Sequence, residues 1–239
     1  MTPDVLARVM EATWPPARVW ACGPFILRDG AGGGKRVSAA SCKGGWTEAE
    51  LQAAEAAMDA PLFLIREGQA AQDGALDGAL DGALAARGYR VVDPVLAYAA
   101  PVGALVGEVP SLTAFAHWPP LEIARDLWTG GGIGPARVGV MDRVAGPKTA
   151  VLARLEDRPA GVAFVALAGE EAMLHALEVR PAQRRRGVAA TLLRAAANWA
   201  AAEGAARLSV VVTAQNLAAR ALYTRAGMQV VGQYHYRMK

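Results

Sequence analysis

Helical and strand-like spacings of apolar residues alternate along the chain, and the changes of period outline its elements. A short helix is expected around residues 3–13. Residues 19–28 then read as a strand, GAGGGK (30–35) as a tight turn, and 35–41 as the hairpin partner. Residues 47–58 open with Thr47 and place Glu50 three residues on, the capping box of a helix start. PLFLIR (61–66) reads as a short buried strand. DGALDGALDGAL (73–84) repeats at period four, which sets Leu76, Leu80 and Leu84 on one slowly drifting helix face. It reads as a short internal duplication. Residues 89–98 suggest a strand pair interrupted at Asp93-Pro94. Residues 99–119, punctuated by Pro101, Pro110, Pro119 and Pro120, read as a connection.

Beyond the connection, 121–128 reads as a helix ended by the glycines of TGGGIGP. Residues 148–156 and 161–168 alternate as strands around the turn Asp157-Arg158-Pro159, which makes a hairpin. A third strand follows at 173–179. Residues 188–203 form a helix with Val188, Leu192, Ala195, Trp199 and Ala202 on one side and Gly204 as its stop. LSVVVT (208–213) is β-branched and reads as fully buried. A short helix over 216–226, closed by Gly227, and strands at 229–232 and 234–238 complete the chain. Strand, helix, strand between 173 and 213 requires a parallel or splayed pairing at the centre of a mixed α/β sheet. The halves also echo one another. ARGYRVV (86–92) aligns with RAGMQVV (225–231), which sets Gly88 against Gly227 and Leu84 against Tyr223.

Composition narrows the classes. The chain has 239 residues, 53% of them hydrophobic and 20% charged, enough for one large or two small packed cores. A net charge of +3 is too small to imply nucleic acid, and no aromatic–basic interleaving surrounds the one arginine run. Cys22 and Cys42 are too few for a disulfide framework, and His117, His175 and His235 match no metal spacing. Asp4, Arg8 and Glu11 interrupt the N-terminal stretch where a secretion signal needs apolar residues. Nothing approaches the ~18–20 apolar residues of a membrane span. A soluble, cytoplasmic protein without metal is expected, as monomer or homodimer.

The chemistry concentrates in QRRRGVAATLL (183–193). A strand ends at Val179, a loop carries three arginines, and a helix begins near Val188. The first turn of a helix leaves N–H groups unpaired and favours an anion. Gly187 lets a phosphate approach the main chain. Arginine adds charge-assisted hydrogen bonds of about 1.5–3 kcal/mol each. These parts make a pyrophosphate cradle. No Walker loop is present, and GGGIG (130–134) follows a helix, unlike a dinucleotide fingerprint.

These residues resemble a family. Arg184-x-x-Gly187-x-Ala189, five residues after a strand ending Leu-Glu-Val, is similar to the [QR]-x-x-G-x-[GA] signature of the GNAT acyltransferases. Downstream, Asn216, Leu222-Tyr223 and Gly227-Met228 follow in the family's order. The resemblance covers residues 105–239 and implies a catalytic GNAT domain there. A degenerate GNAT-like domain without a cofactor loop would occupy 1–104. The implied fold is two GNAT-like domains, each a mixed sheet flanked by helices, with a splayed central strand in the second.

The implied activity is transfer of an acetyl group from acetyl-CoA, as co-substrate, to a primary amine of a small molecule or peptide by direct attack. A non-catalytic acyl-CoA sensor is the alternative; longer acyl chains or an oxygen acceptor also remain open. By resemblance, Leu177 and Val179 bind the thioester and pantetheine through their main chain. Arg184, Arg185, Arg186, Gly187, Val188 and Ala189 hold the pyrophosphate. Tyr223 is the general acid, and Asn216 binds the cofactor or caps the last helix. The base is open between Glu170, Glu171, His175, Glu178 and water. YHYR (234–237) either lines the acceptor pocket or packs between the two halves, and His117-Trp118 and Trp128 are candidates for the other wall.

Overall fold

A computed structural model describes residues 1–67 and 76–239. Residues 73–75 of the DGAL repeat, and the side chain of Leu76, lie outside the described residues. The N-terminal half contains α1 (Pro3–Ala12), β1 (Arg18–Cys22), β2 (Phe25–Asp29), β3 (Ser41–Cys42), α2 (Glu48–Ala56), β4 (Leu62–Glu67), α3 (Leu76–Ala86) and β5 (Arg90–Pro101). The C-terminal half contains β6 (Ala114–His117), α4 (Glu122–Gly130), α5 (Pro135–Arg143), β7 (Lys148–Leu155), β8 (Arg158–Ala168) and β9 (Glu171–Val179). It ends with α6 (Val188–Ala202), β10 (Arg207–Thr213), α7 (Leu217–Arg225) and β11 (Gln229–Met238).

One eight-stranded sheet runs through both halves in the order β4-β11-β5-β10-β9-β8-β7-β6. β5 of the N-terminal half is inserted between β10 and β11 of the C-terminal half, antiparallel to both. β11 in turn pairs with β4 on its other side. β9 and β10 form the parallel pair that the strand–helix–strand order demands. A smaller sheet, β1-β2-β3, packs with α2 and α3 over Phe63 and Ile65 of β4. On β8, Ala163, Val165 and Leu167 face the core under α6, while Val162, Phe164 and Ala166 face the core under α4 and α5. That two-residue alternation makes β8 the wall between two cores.

Local chemistry sets most boundaries. Thr47 and Glu50 form the expected capping box on α2. Leu80 and Leu84 of the repeat are buried on α3, and Asp81 of the same helix accepts hydrogen bonds from Arg237 and His235 of β11. The two echoing segments have matching helix ends. Tyr89 N–H donates to Leu84 C=O and Met228 N–H to Tyr223 C=O, both at 3.0 Å. Gly88 and Gly227 both take φ of 84° between helix and strand.

Several boundaries differ from the sequence reading. Gly23-Pro24 splits 19–28 into the β1–β2 hairpin, and 35–41 supplies a 3-10 turn (Lys35–Val37) with only Ser41–Cys42 extended. Residues 89–98 belong to one long strand. Asp93, at φ 45°, lies at a register shift against β11, and a bulge there tolerates Pro94 in a central strand. β11 is likewise one strand with two shifts. The connection contains β6, paired with β7, and α5 was not anticipated. The β7–β8 turn is Glu156-Asp157, both left-handed as a tight hairpin requires. The buried face of α6 is Val188, Leu192, Leu193, Ala196, Ala197 and Ala200; Ala195 and Trp199 pack at its border, and Ala202 is exposed.

Candidate active site

The loop between β9 and α6 leaves main-chain N–H groups unpaired at the start of a helix. Arg185 and Gly187 take left-handed φ of 64° and 86°, and Gly187 is the N-cap of α6. Residues alternating in this way turn successive N–H groups toward one side. Among the described residues, no protein atom accepts from the N–H of Arg185, Arg186, Gly187, Val188 or Ala189. The N–H of Arg184 differs from the expectation: it donates to Pro181 C=O at 3.3 Å. No acidic side chain stands in the first turn of α6, and a Cβ placed on Gly187 would meet nothing within 4 Å. The three arginines separate by partner. Arg184 bonds Glu178 at 3.0 Å and Val179 C=O at 3.1 Å, and Arg186 pairs with Glu156. Arg185 is exposed and makes no ion pair among the described residues.

Beside the cradle the sheet opens. β10 pairs with β9 only from Arg207↔Glu171 to Val210↔Leu174. Both strands continue, so the edge from His175 to Val179 has no partner on β10. Ala176 (φ 50°) and Leu177 form a bulge opposite β8, where the register jumps from Val162↔Glu178 to Phe164↔His175. Trp128, fully buried on α4, donates from Nε1 to Ala176 C=O at 2.8 Å and holds that bulge. The Ala176 and Val179 carbonyls both accept from side chains.

Tyr223 lies on α7, packed against Tyr98 of β5 with ring centroids 5.7 Å apart. Burial raises its hydroxyl above the usual tyrosine value, and no described residue bonds it. Asn216 caps α7 by accepting from Ala219 N–H at 3.1 Å.

The candidate bases stand in separate places. Glu171 pairs with Arg207 at the start of β9, as far from Val179 as that strand is long, about 25 Å, and Glu170 adjoins it in the β8–β9 turn. His175 is buried; its Nε2 faces Thr13 Oγ1 at 2.9 Å and its Nδ1 faces Arg36 at 3.1 Å. Thr13 spends its own proton on Val9 C=O, so Nε2–H donates to Thr13 and Nδ1 accepts from Arg36. Burial and the Arg36 charge hold His175 well below the usual histidine value, hence neutral. Its lone pair is already used. Glu178 remains, half-covered beside Gly131, where a side chain would collide with its Cγ at 2.4 Å.

A cavity of about 220 Å³ opens where the strands part. Its lining includes Ala176 of β9, Val211–Thr213 of β10, Asp93 and Val95 of β5, Tyr234 and Tyr236 of β11, and Arg137 of α5. Trp14 and the loop 33–36 complete it. The two tyrosines of YHYR line this cavity and also pack against α1. His117, Trp118 and Trp128 do not line it: Trp118 packs on Phe164, and Trp128 lies beneath the bulge. Trp14, Lys35 and Arg36 carry no sequence mark, because spacing gives no sign that Trp14 and the loop 33–36 reach the other half.

Among the described residues no helix is long and apolar enough to cross a membrane, and no group of side chains could hold a metal ion.

Residues 121–228 match the family model described as Acetyltransferase (GNAT) family. No curated protein matches the chain. Solved structures do. A GCN5-related N-acetyltransferase from Kribbella flavida superposes with a TM-score of 0.71 at 17% identity, covering 100% of this chain and 96% of its own. A functionally unknown conserved protein from Staphylococcus epidermidis gives 0.68 at 10% identity, covering 95% and 94%. A tandem GNAT protein from the clavulanic acid biosynthesis pathway gives 0.60 at 15%, covering 98% and 87%. The unpaired N–H groups, the parting strands and the match to the GNAT family model fall on the same segment, residues 121–228.

Proposed function

We propose that the protein is an acetyl-CoA-dependent N-acetyltransferase that acetylates a primary amine by direct attack. The observation that carries this reading is the set of five unengaged N–H groups from Arg185 to Ala189 at the mouth of α6, next to the gap between β9 and β10. A diphosphate fits such a cradle, and a pantetheine arm fits the gap. Bound there, acetyl-CoA would supply an activated thioester. Arg185 would add side-chain charge, while Arg184 and Arg186 brace the loop through Glu178 and Glu156. Leu177 would pair its main chain with the arm, and Val179 would steady the loop by accepting from Arg184. Asn216 fixes the start of α7 and so the direction of Tyr223. Tyr223, kept protonated by burial, would hand a proton to the departing sulfur. With His175 neutral and engaged, water is the simplest route for the amine's proton. Much of the rate would come from holding amine and thioester together.

We further propose that residues 1–104 and 105–239 are two copies of one GNAT-like unit, the first without a cradle. The matching helix ends at Gly88 and Gly227, and the full-length overlay with a tandem GNAT protein, support this.

Thermal shift with CoA and acetyl-CoA tests the cradle directly. A hundredfold excess over Kd stabilises by about 2.7 kcal/mol, which is about 5–10 °C for a chain of this size. No shift would remove the reading. An amine panel with thiol-release detection then separates a transferase from a protein that only holds acyl-CoA.

A further inference from the structure

The cavity at the strand gap carries more than shape. Three of its lining side chains, Lys35, Arg36 and Arg137, are cationic, and one, Asp93, is a carboxylate. Asp93 is already matched by Lys35 at 2.8 Å. Arg36 and Arg137 therefore face the cavity with no carboxylate among the described residues. Arg36 is not a loose surface charge. Its NH1 donates to Nδ1 of neutral His175, and its guanidinium lies 5.5 Å over the ring of Trp14. His175 is itself fixed by Thr13 and stacked on Trp14 with centroids 4.9 Å apart. The chain Thr13–His175–Arg36 thus positions a half-buried positive charge against a neutral partner. Holding an uncompensated charge out of water is costly unless something supplies the opposite sign. Arg137 approaches from α5, its guanidinium beside Gly34 on the same rim. Trp14, Tyr234 and Tyr236 supply aromatic lining to the same cavity. At about 220 Å³ the space is smaller than a drug-sized site.

We infer that the acceptor is a small amine that also bears a carboxylate, of amino-acid to dipeptide size. Arg36 and Arg137 hold the carboxylate, and the amine points at Ala176–Leu177. Guanidinium forks match a carboxylate in two parallel hydrogen bonds, which fixes orientation as well as charge. This inference rests on the transferase reading, and it assigns the N-terminal half a role: Trp14 and loop 33–36 supply specificity.

The test uses the full chain, acetyl-CoA and matched acceptors: L-phenylalanine, L-phenylalaninamide and 2-phenylethylamine, with L-leucine, L-leucinamide and 3-methylbutylamine beside them. The expected result is a kcat/KM at least tenfold higher for each carboxylate than for its amide or bare amine. A glycine and aminomethylphosphonate pair separates carboxylate from phosphonate recognition; preference for the phosphonate would overturn the carboxylate assignment. Arg137→Gln, on an exposed helix face, should shrink the carboxylate advantage to under threefold while leaving CoA affinity within twofold. Arg36→Gln should erase it. Calorimetric titration of the amino acids into the CoA-bound protein gives a readout independent of turnover. Amino-acid binding lost in Arg137→Gln would support the inference even without transfer. Transfer or CoA binding with no advantage for carboxylates would overturn the inference and leave the transferase reading standing. Absence of any CoA response would instead remove that reading.

Discussion

Gly187 concentrates two requirements in one position. Its φ of 86° disfavours any L side chain by about 1–2 kcal/mol, and the space before it is open to the region where a diphosphate would lie. Gly187→Val should therefore lower Tm by only a few degrees but weaken CoA at least tenfold by calorimetry. Equal affinity in the variant would place the diphosphate elsewhere. Tyr223 has a different signature. It is buried among apolar neighbours, and only its hydroxyl is asked to act. Tyr223→Phe should reduce kcat by about 10²–10³-fold with CoA Kd unchanged within twofold. Burial raises the Tyr223 hydroxyl above its usual value of 10.0, so the acid form persists beyond that pH. The pH profile should then fall only on the acid side, where the amine becomes protonated. A loss of rate between pH 8 and 10 that disappears in Tyr223→Phe would contradict this.

At the scale of elements, His175 ties three pieces that are distant in sequence: α1 through Thr13, the 3-10 turn at Lys35–Val37 through Arg36, and β9. Its value is held well below 6.5 in the fold, while the unfolded chain keeps the ordinary value. Below pH 6.5 the unfolded state therefore binds a proton that the folded state does not. Stability is fully present above that pH and declines as pH falls toward the depressed folded value. His175→Gln keeps an amide that can donate to Thr13 and accept from Arg36, yet cannot titrate. Its Tm should be lower than the parent's at pH 7.5, and the Tm loss between pH 6.5 and 5 should be visibly shallower. Parallel curves would assign the acid sensitivity to other groups. This contact also shows where sequence reading ends. The loop with its unpaired N–H groups was legible because its parts are local: a strand end, three arginines, a glycine and a helix start lie within about ten residues. The capping box of α2, the caps at Gly88 and Gly227 and the parallel β9–β10 pair were legible for the same reason. Arg36 carries no such mark. Its hydrogen-bond partner His175 stands 139 residues away, and period and spacing are silent about which loop reaches which strand. The Gly23-Pro24 turn was lost because apolar residues continue on both sides of it, and β6 because prolines flank four residues of strand.

The whole molecule is defined by the exchange of strands between its halves. β5 lies between β10 and β11, and β11 lies between β5 and β4. Cutting the chain near residue 104 would leave β10 with an unpaired edge across seven matched positions and strip β11 of both neighbours. It would also take Tyr98, Ala100 and Val102 from the core under α6 and uncover Tyr234 and Tyr236. Long exposed edges of this kind aggregate readily. Residues 105–239 expressed alone should therefore be insoluble or lack a cooperative thermal transition, although they contain the whole GNAT match and the cradle. Co-expression with residues 1–104 should recover a soluble complex that binds CoA, because every strand pair can then re-form across the break. A cooperative, CoA-binding 105–239 fragment would mean that β5 is dispensable and that the C-terminal unit can close its own sheet. The recovered complex also separates two roles for the N-terminal half. If that half supplies strands alone, Arg36→Gln in the 1–104 piece should leave acceptor preference untouched. If it supplies the acceptor's anion site as well, the same change should alter preference without affecting assembly or CoA affinity.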